Sequence, residues 1–305
     1  MDAKSGSVGV ATTTCDNDPT PCQGNDKTHG PSPVNCSLPR SARLPINRCN
    51  LPAVILGSLT FQRFPAPLSI DGVAELHQDL FRRLDAVAEA ERRVDVFRDY
   101  MTVRFCLEQL EEAGYSDSGR QRKRARANWE RLIRGWSFDS DTREGAVLKA
   151  WVESRFGLVT RFHREPLRDA AGAPWWRFQE DRSRGLYGTN ALEAQLDLLY
   201  TWCQYELARR HSAARHITLY RGVNRIADHE VLERDHGRRC VILLNNLSSF
   251  TSSRDRAGEF GDYILCADVP MAKILFHYGL MPDRLQGEGE FLVIGGAMEV
   301  ELGCF

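Results

Sequence analysis

Leu207-Ala208-Arg209-Arg210-His211-Ser212-Ala213-Ala214-Arg215-His216-Ile217-Thr218-Leu219-Tyr220 is where the chain changes its period. Before His211, apolar residues recur three and four apart. Leu192, Leu196, Leu199, Cys203 and Leu207 line one face of a helix running from about Thr189, its expected cap, to His211. After His211 come short apolar runs separated by polar turns: Ile217 to Tyr220, Cys240 to Leu244, Tyr263 to Val269, Lys273 to Phe276, Phe291 to Ile294 and Met298 to Leu302. These read as strands. Helices first and strands second indicate an α+β protein rather than alternating βαβ units.

Working outward, the helical half extends back toward the N-terminus. Ser69 or Asp71 can cap a helix carrying Val73, Leu76, Leu80, Leu84 and Val87, and a second runs from Val94 to Leu110 and stops at Gly114. Arg120 to Arg134 is strongly basic and carries Trp129. Such a run is usually a solvated face; here a docking surface for an acidic protein is preferred, with a solvated face next, and nucleic-acid binding is the lesser alternative. Residues 1–45 are rich in Gly, Ser, Thr, Pro, Asn and Asp. A segment with so little to bury reads as a disordered leader. The expected organisation is that leader followed by one domain over 46–305, mainly helical over 46–212 and β-rich over 213–305.

With 305 residues and 42% hydrophobic side chains the chain can build a sizeable core, and its net charge of -1 does not mark it as a nucleic-acid binder. No run approaches a membrane span, and the start lacks a basic, then apolar secretory pattern, so a cytoplasmic location is expected. The nine cysteines contain no CxxC pair. Free thiols in the leader are favoured over a zinc site there, and no metal is expected.

Three motifs in the strand half carry chemistry. Leu219-Tyr220-Arg221-Gly222-Val223 ends a strand with an arginine and a glycine. A guanidinium matches a phosphate at two points, and glycine lets a ligand reach the main chain. Taken alone, a strand-end arginine before a turn explains it as well. Ser248-Ser249-Phe250-Thr251-Ser252-Ser253 sets hydroxyls beside one aromatic, able to hold a ribose and orient a carboxylate. It can also be a loop capping the next helix, whose buried face would hold Ala257 and Phe260. Gln286-Gly287-Glu288-Gly289-Glu290-Phe291-Leu292-Val293-Ile294 places two glutamates two apart before an apolar run. In extended backbone both would share a face, at the cost of mutual repulsion.

With these three motifs in this order, the chain resembles the arginine–serine–glutamate class of ADP-ribosyltransferases. The Glu-x-Glu pair is similar to the arginine-modifying branch. From about Asn47 to the C-terminus, including Asn47-Arg48-Cys49-Asn50-Leu51-Pro52, the chain resembles the NAD–dinitrogenase reductase ADP-ribosyltransferases of nitrogen-fixing bacteria. The resemblance implies a helical half packed on a mixed β-sheet core of the ADP-ribosyltransferase type. NAD would be the co-substrate. Arg221 would bind its phosphates, Gly222 would present backbone to the nicotinamide amide, and Phe250 and Ser252 would join the NAD site. Ser252, two residues after Phe250, best matches the first serine of the family motif, although Ser252-Ser253-Arg254 departs from the usual serine-threonine-serine. Glu290 would be the catalytic glutamate and Glu288 would face the target arginine. The implied partners are dinitrogenase reductase, inactivated by the modification, and a PII-type signalling protein.

The chemistry fits these residue types. Loss of nicotinamide builds positive charge on the ribose carbon, which a fixed carboxylate stabilises. The acceptor guanidinium is a poor nucleophile until a second carboxylate holds it and helps remove a proton. An NAD glycohydrolase would need Glu290 alone, and a noncatalytic NAD-sensing scaffold would need neither. The loop from Gly279 to Gly287, with Pro282, could shape itself to a protein surface.

Overall fold

The β-rich part is organised by two long strands that pair along most of their length. A computed structural model describes residues 37–108, 128–187, 189, 191–226, 229–234, 238–282 and 289–304. Residues 35–305 cluster as one unit. Its helices are α1 (Ala53–Leu56), α2 (Leu59–Arg63), α3 (Val73–Leu76), α4 (Gln78–Asp85), α5 (Ala90–Arg104), α6 (Trp129–Phe138), α7 (Arg143–Phe156), α8 (Ala173–Leu186), α9 (Leu192–Arg210) and α10 (Arg254–Gly258). A two-stranded ribbon, β1 (Phe162–His163) and β2 (Glu165–Pro166), precedes the main sheet. The main sheet comprises β3 (His216–Val223), β4 (Glu230–Arg234), β5 (Arg239–Thr251), β6 (Tyr263–Pro270), β7 (Ile274–His277) and β8 (Glu290–Cys304).

The α+β class holds. The expected mixed sheet does not, because every pairing among the described strands is antiparallel. A parallel pair needs a long crossover, whereas β4 and β5, which pair, are joined by only residues 235–238. β3 pairs with β5 and β6, and β8 pairs with the same two strands, so the four close a ring of ladders. The two runs predicted at 291–294 and 298–302 are one strand. β8 passes through Gly295 and Gly296 (φ +112) opposite a register shift between Leu244 and Leu247. The extra residue in β5 bends the ladder there. A Cβ on Gly295 would lie 1.9 Å from the Asn245 carbonyl oxygen, so the bulge requires glycine.

That bulge also ties the sheet to the helices. The Asn246 side-chain amide donates to the carbonyls of Lys149 and Leu158 and to Thr160 Oγ1, at 2.7, 3.2 and 3.1 Å. Asn245 Oδ1 accepts from the backbone N–H of Arg161 at 2.9 Å. On another side, α9 packs against β7: Gln204 donates to the Ile274 carbonyl at 2.7 Å and Tyr200 to that of Ala272 at 2.9 Å. Phe97 of α5 stacks on Trp202 of α9 at 4.3 Å. Among the described residues no helix is long and apolar enough to cross a membrane.

Several boundaries differ from the sequence reading, each for a local reason. Leu38 and Ala42 are buried and Arg43 bridges Leu158, so ordered chain reaches back to residue 37, inside the expected leader. The run from Val73 to Val87 is two helices, broken at His77. That residue is buried, edge-on to Tyr100, with Nδ1 3.0 Å from the tyrosine hydroxyl. The helix expected over Val94 to Leu110 ends at Arg104, followed by Cys106 at φ 49. Thr189 does not cap α9. Its hydroxyl donates to the Leu186 carbonyl at the end of α8, and α9 starts after Ala191, which is left-handed. Ala257 is buried, but Phe260 lies beyond the end of α10 and is exposed. The basic positions 120–126 lie outside the described residues.

Arg93 shows how the helical part is fastened. Its Nε and Nη2 donate to both oxygens of Glu206 at 2.7 and 2.9 Å, and Nη1 reaches the carbonyls of Val87 and Ala88. Both side chains are buried. Arg93→Ala leaves the Glu206 carboxylate with Arg210, at 3.4 Å, as its remaining ion-pair partner. Breaking a buried pair from one side costs about 3–5 kcal/mol. Urea unfolding of the variant should show a lower midpoint at an unchanged slope.

Candidate active site

β3 touches β5 at one pair, Tyr220 opposite Thr251, and Thr251 in turn lies opposite Glu290, the first residue of β8. Beyond this junction the strands splay and a cleft of about 870 Å³ opens. Arg221, Gly222, Ser249, Phe250 and Glu290 line it from the sheet. Trp136, Phe138 and Asp139 line it from the end of α6 and the turn after it, and Arg256, Ala257 and Phe260 from the α10 side. The predicted arginine and glutamate motifs, 69 residues apart in sequence (290 − 221 = 69), thus meet at the mouth of one cavity.

Ser249 sits between them. Its carbonyl accepts from Arg221 Nη1 at 2.7 Å, and its hydroxyl oxygen accepts from the Trp136 indole N–H at 2.8 Å. Ser249 and Trp136 also act on the Glu290 carboxylate, both favouring its ionised form. Burial raises the Glu290 pKa above the usual carboxylate range, and the Ser249 and Trp136 hydrogen bonds and the Arg221 charge oppose that rise. Burial lowers the Arg221 pKa, and Glu290 opposes it. The buried Arg221 Nε has no hydrogen-bond partner among the described residues, which leaves one guanidinium donor uncommitted. On the far side of Glu290, its carbonyl oxygen lies 3.2 Å from His277 Nδ1, and that imidazole stacks on Phe291 at 3.8 Å.

Gly222 answers to a constraint that sequence did not reveal. A Cβ there would lie 2.0 Å from the Ala257 carbonyl oxygen, so α10 packs directly on the strand backbone. Gly261 meets Val223 in the same way, at 2.4 Å. Phe250 lines the cleft but is almost wholly buried, part of the core as much as of the wall. The serine motif is not a loop. Ser248 to Thr251 belong to β5, and Ser253 caps α10 by accepting from the Arg256 N–H at 3.2 Å. Ser252 is exposed, and its Oγ lies near Gly289 rather than among the cleft-lining residues described.

Glu288 lies outside the described residues. The expectation that Glu288 and Glu290 share a face therefore also lies outside the described residues; β8 begins at Glu290, and Gly289 before it has φ +71. Trp136 was not singled out from sequence at all. The 3–4 spacing of Trp129, Leu132, Ile133 and Trp136 could have marked α6, but nothing in that spacing points at a carboxylate 154 residues away (290 − 136 = 154). Among the described residues no group of three or more His, Cys, Asp or Glu side chains could hold a metal ion.

The family described as dinitrogenase reductase ADP-ribosyltransferase (DRAT) matches residues 46–302. The chain belongs to this family. It is 40% identical over 252 residues to the NAD(+)–dinitrogen-reductase ADP-D-ribosyltransferase of Rhodospirillum rubrum, covering 82% of this chain and 91% of that one. No solved structure matches the chain. The match in this transferase family spans all three motif regions and α6, so the helix carrying Trp136 lies inside the shared part.

Ser249→Ala removes a donor that favours the charged form of Glu290. The Glu290 pKa should rise further, so any step needing its carboxylate should fade at a higher pH as the solution is acidified. A carboxyl-carbon NMR titration of Glu290 checks this. An unchanged midpoint would exclude Ser249 from the contact.

Proposed function

We propose that this chain transfers the ADP-ribose of NAD to an arginine of dinitrogenase reductase, inactivating it in the control of nitrogen fixation. The observation that carries the reading is the meeting of Arg221, Ser249 and Glu290 at one cleft, in a chain of the dinitrogenase reductase ADP-ribosyltransferase family. The relative from Rhodospirillum rubrum is named for action on dinitrogen reductase. The ring of antiparallel ladders with helices on its flank is consistent with an ADP-ribosyltransferase core. A cytoplasmic site of action and a PII-type signalling partner follow from the resemblance and belong to the same proposal.

Each group has a part. Arg221 offers its guanidinium to the NAD pyrophosphate, where a planar two-point contact is worth more than a point charge. The bond between the ribose C1′ and the nicotinamide nitrogen breaks, and nicotinamide leaves as a neutral ring. Glu290 stabilises the positive charge developing at C1′. Its carboxylate is partly desolvated and already held by donors, so little reorganisation is needed as charge grows. The acceptor guanidinium then forms the new C1′–N bond and gives up one proton, which Glu288 is assigned to take. Ser249 takes the orienting role that the sequence reading gave to Ser252.

Glu290→Gln should fold like the wild type and lose transfer by roughly a hundredfold or more, the effect of about 3 kcal/mol in the transition state. Near wild-type turnover by purified variant would remove Glu290 from the mechanism. Glu288→Ala separates transferase from glycohydrolase. It should still bind NAD and release nicotinamide slowly to water, while losing most arginine modification. Both rates are to be measured on one preparation with the protein acceptor present. A parallel fall in both would mean the two carboxylates act as a unit.

A further inference from the structure

We propose that Trp136 is a positioning residue of the transfer reaction, carrying a hydrogen bond from the helical part of the fold onto Ser249 and, through it, acting on Glu290. The inference rests on the reading of Glu290 given above. Trp136 is 3% exposed, its indole N–H donates to Ser249 Oγ at 2.8 Å, and it lines the same cleft as Glu290. Packing alone does not ask for that contact. The fold also buries Trp202, whose indole nitrogen has no hydrogen-bond partner among the described residues and which serves by its ring. At Trp136 the N–H is aimed at the hydroxyl of Ser249, the residue whose carbonyl holds Arg221.

The ring is held from several sides. One turn earlier, Tyr278 donates to the Ile133 carbonyl at 2.7 Å, fixing α6 against the turn that follows β7. A Cβ on Gly135 would lie 2.7 Å from the Glu144 side chain, so α6 and α7 are in close contact beside the indole. Lys149 Nζ lies 5.8 Å from the ring centroid, close enough for a cation–π attraction. That ammonium is itself buried, bonded to Asp141 at 2.7 Å and 3.3 Å from His163 Nδ1. A rigid donor prepared in this way costs little to use when charge shifts in the site.

The charged and titratable groups around Glu290 come from several elements. Arg221 of β3 favours its ionised form, Tyr278 stands near it after β7, and His277 of β7 contacts its carbonyl. Trp136 contributes an uncharged donor that also favours the carboxylate. Its loss should therefore move the acid limb of the pH–rate profile upward.

The test uses the full chain with Trp136→Phe, which keeps a large aromatic ring and removes the N–H. Nicotinamide release is followed against pH and NAD concentration. The expected result is a kcat about tenfold lower, a KM for NAD within about twofold, and an acid limb higher by about one pH unit. The wild type supplies a second measurement that does not depend on the variant folding. In nitrogen-15 spectra the Trp136 indole signal should titrate with the same midpoint as that limb, and Glu290→Gln should abolish the titration. A folded Trp136→Phe protein with wild-type kcat and limb overturns the proposal. So does an indole signal that stays flat across the limb, or a variant that only melts earlier while each folded molecule turns over normally. Full activity of Glu290→Gln would instead defeat the reading of Glu290, a distinct failure.

Discussion

The ladder between β5 and β8 is the constraint from which the rest of the architecture follows. It runs from Arg239 opposite Glu301 to Thr251 opposite Glu290, interrupted by one bulge. At its far end the register sets Glu290 beside Thr251 and brings Ser249 within reach of it. At its middle the bulge turns Asn245 and Asn246 outward to grip α7 and the segment after it. A slip of one residue would turn Ser249 and Glu290 away from the cleft and detach the helices. Two glycines oppose such a slip: Gly295, where a Cβ would strike the Asn245 carbonyl in the bulge, and Gly296, which has φ +112 and lies against the backbone of Gly57.

Placing an arginine and a glutamate in a partly desolvated cleft is costly unless each meets partners. Arg221 uses one nitrogen on the Ser249 carbonyl, and Ser249 and Trp136 both favour the ionised form of Glu290. The two charges also favour one another across the site. The arrangement leaves Glu290 less acidic than a solvated carboxylate, yet surrounded by groups that favour its ionised form. That balance suits a residue whose task is to meet positive charge formed during the reaction.

The strand half was more legible in sequence than the helical half, for a physical reason. Strands buried against helices read as short apolar runs, and five of the six predicted runs fall within strands found in the structure. The sixth, Lys273 to Phe276, starts one residue early on a buried lysine that donates to the Gly295 carbonyl. β4 was missed because three of its five residues, Glu230, Glu233 and Arg234, are exposed and charged. α6, α7 and α8 were missed because α7 is buried nearly all round and therefore shows no stripe, while α6 and α8 are rich in tryptophan and arginine. In the site, Arg221 and Glu290 were legible because each ends or begins an apolar run. The Ser249 contact depends on strand register, and Trp136 arrives through tertiary packing that no local pattern records.

At Gly222 the wall of the cleft is peptide, pressed against the Ala257 carbonyl of α10, and Gly261 packs on Val223 behind it. That stretch of wall has no rotamers of its own. Its contour is set by the strand and by α10, while Arg256 and Phe260 beside it keep side chains that can move. A ligand that lies along it gives up its own freedom without also freezing that of the protein. The same property makes this flank a poor place for gradual change: enlarging either glycine pushes two backbones apart, whereas the opposite flank, with Phe138 and Asp139, can vary one side chain at a time. Diversity in what the cleft accepts should therefore accumulate on the helical side, while the strand side stays fixed.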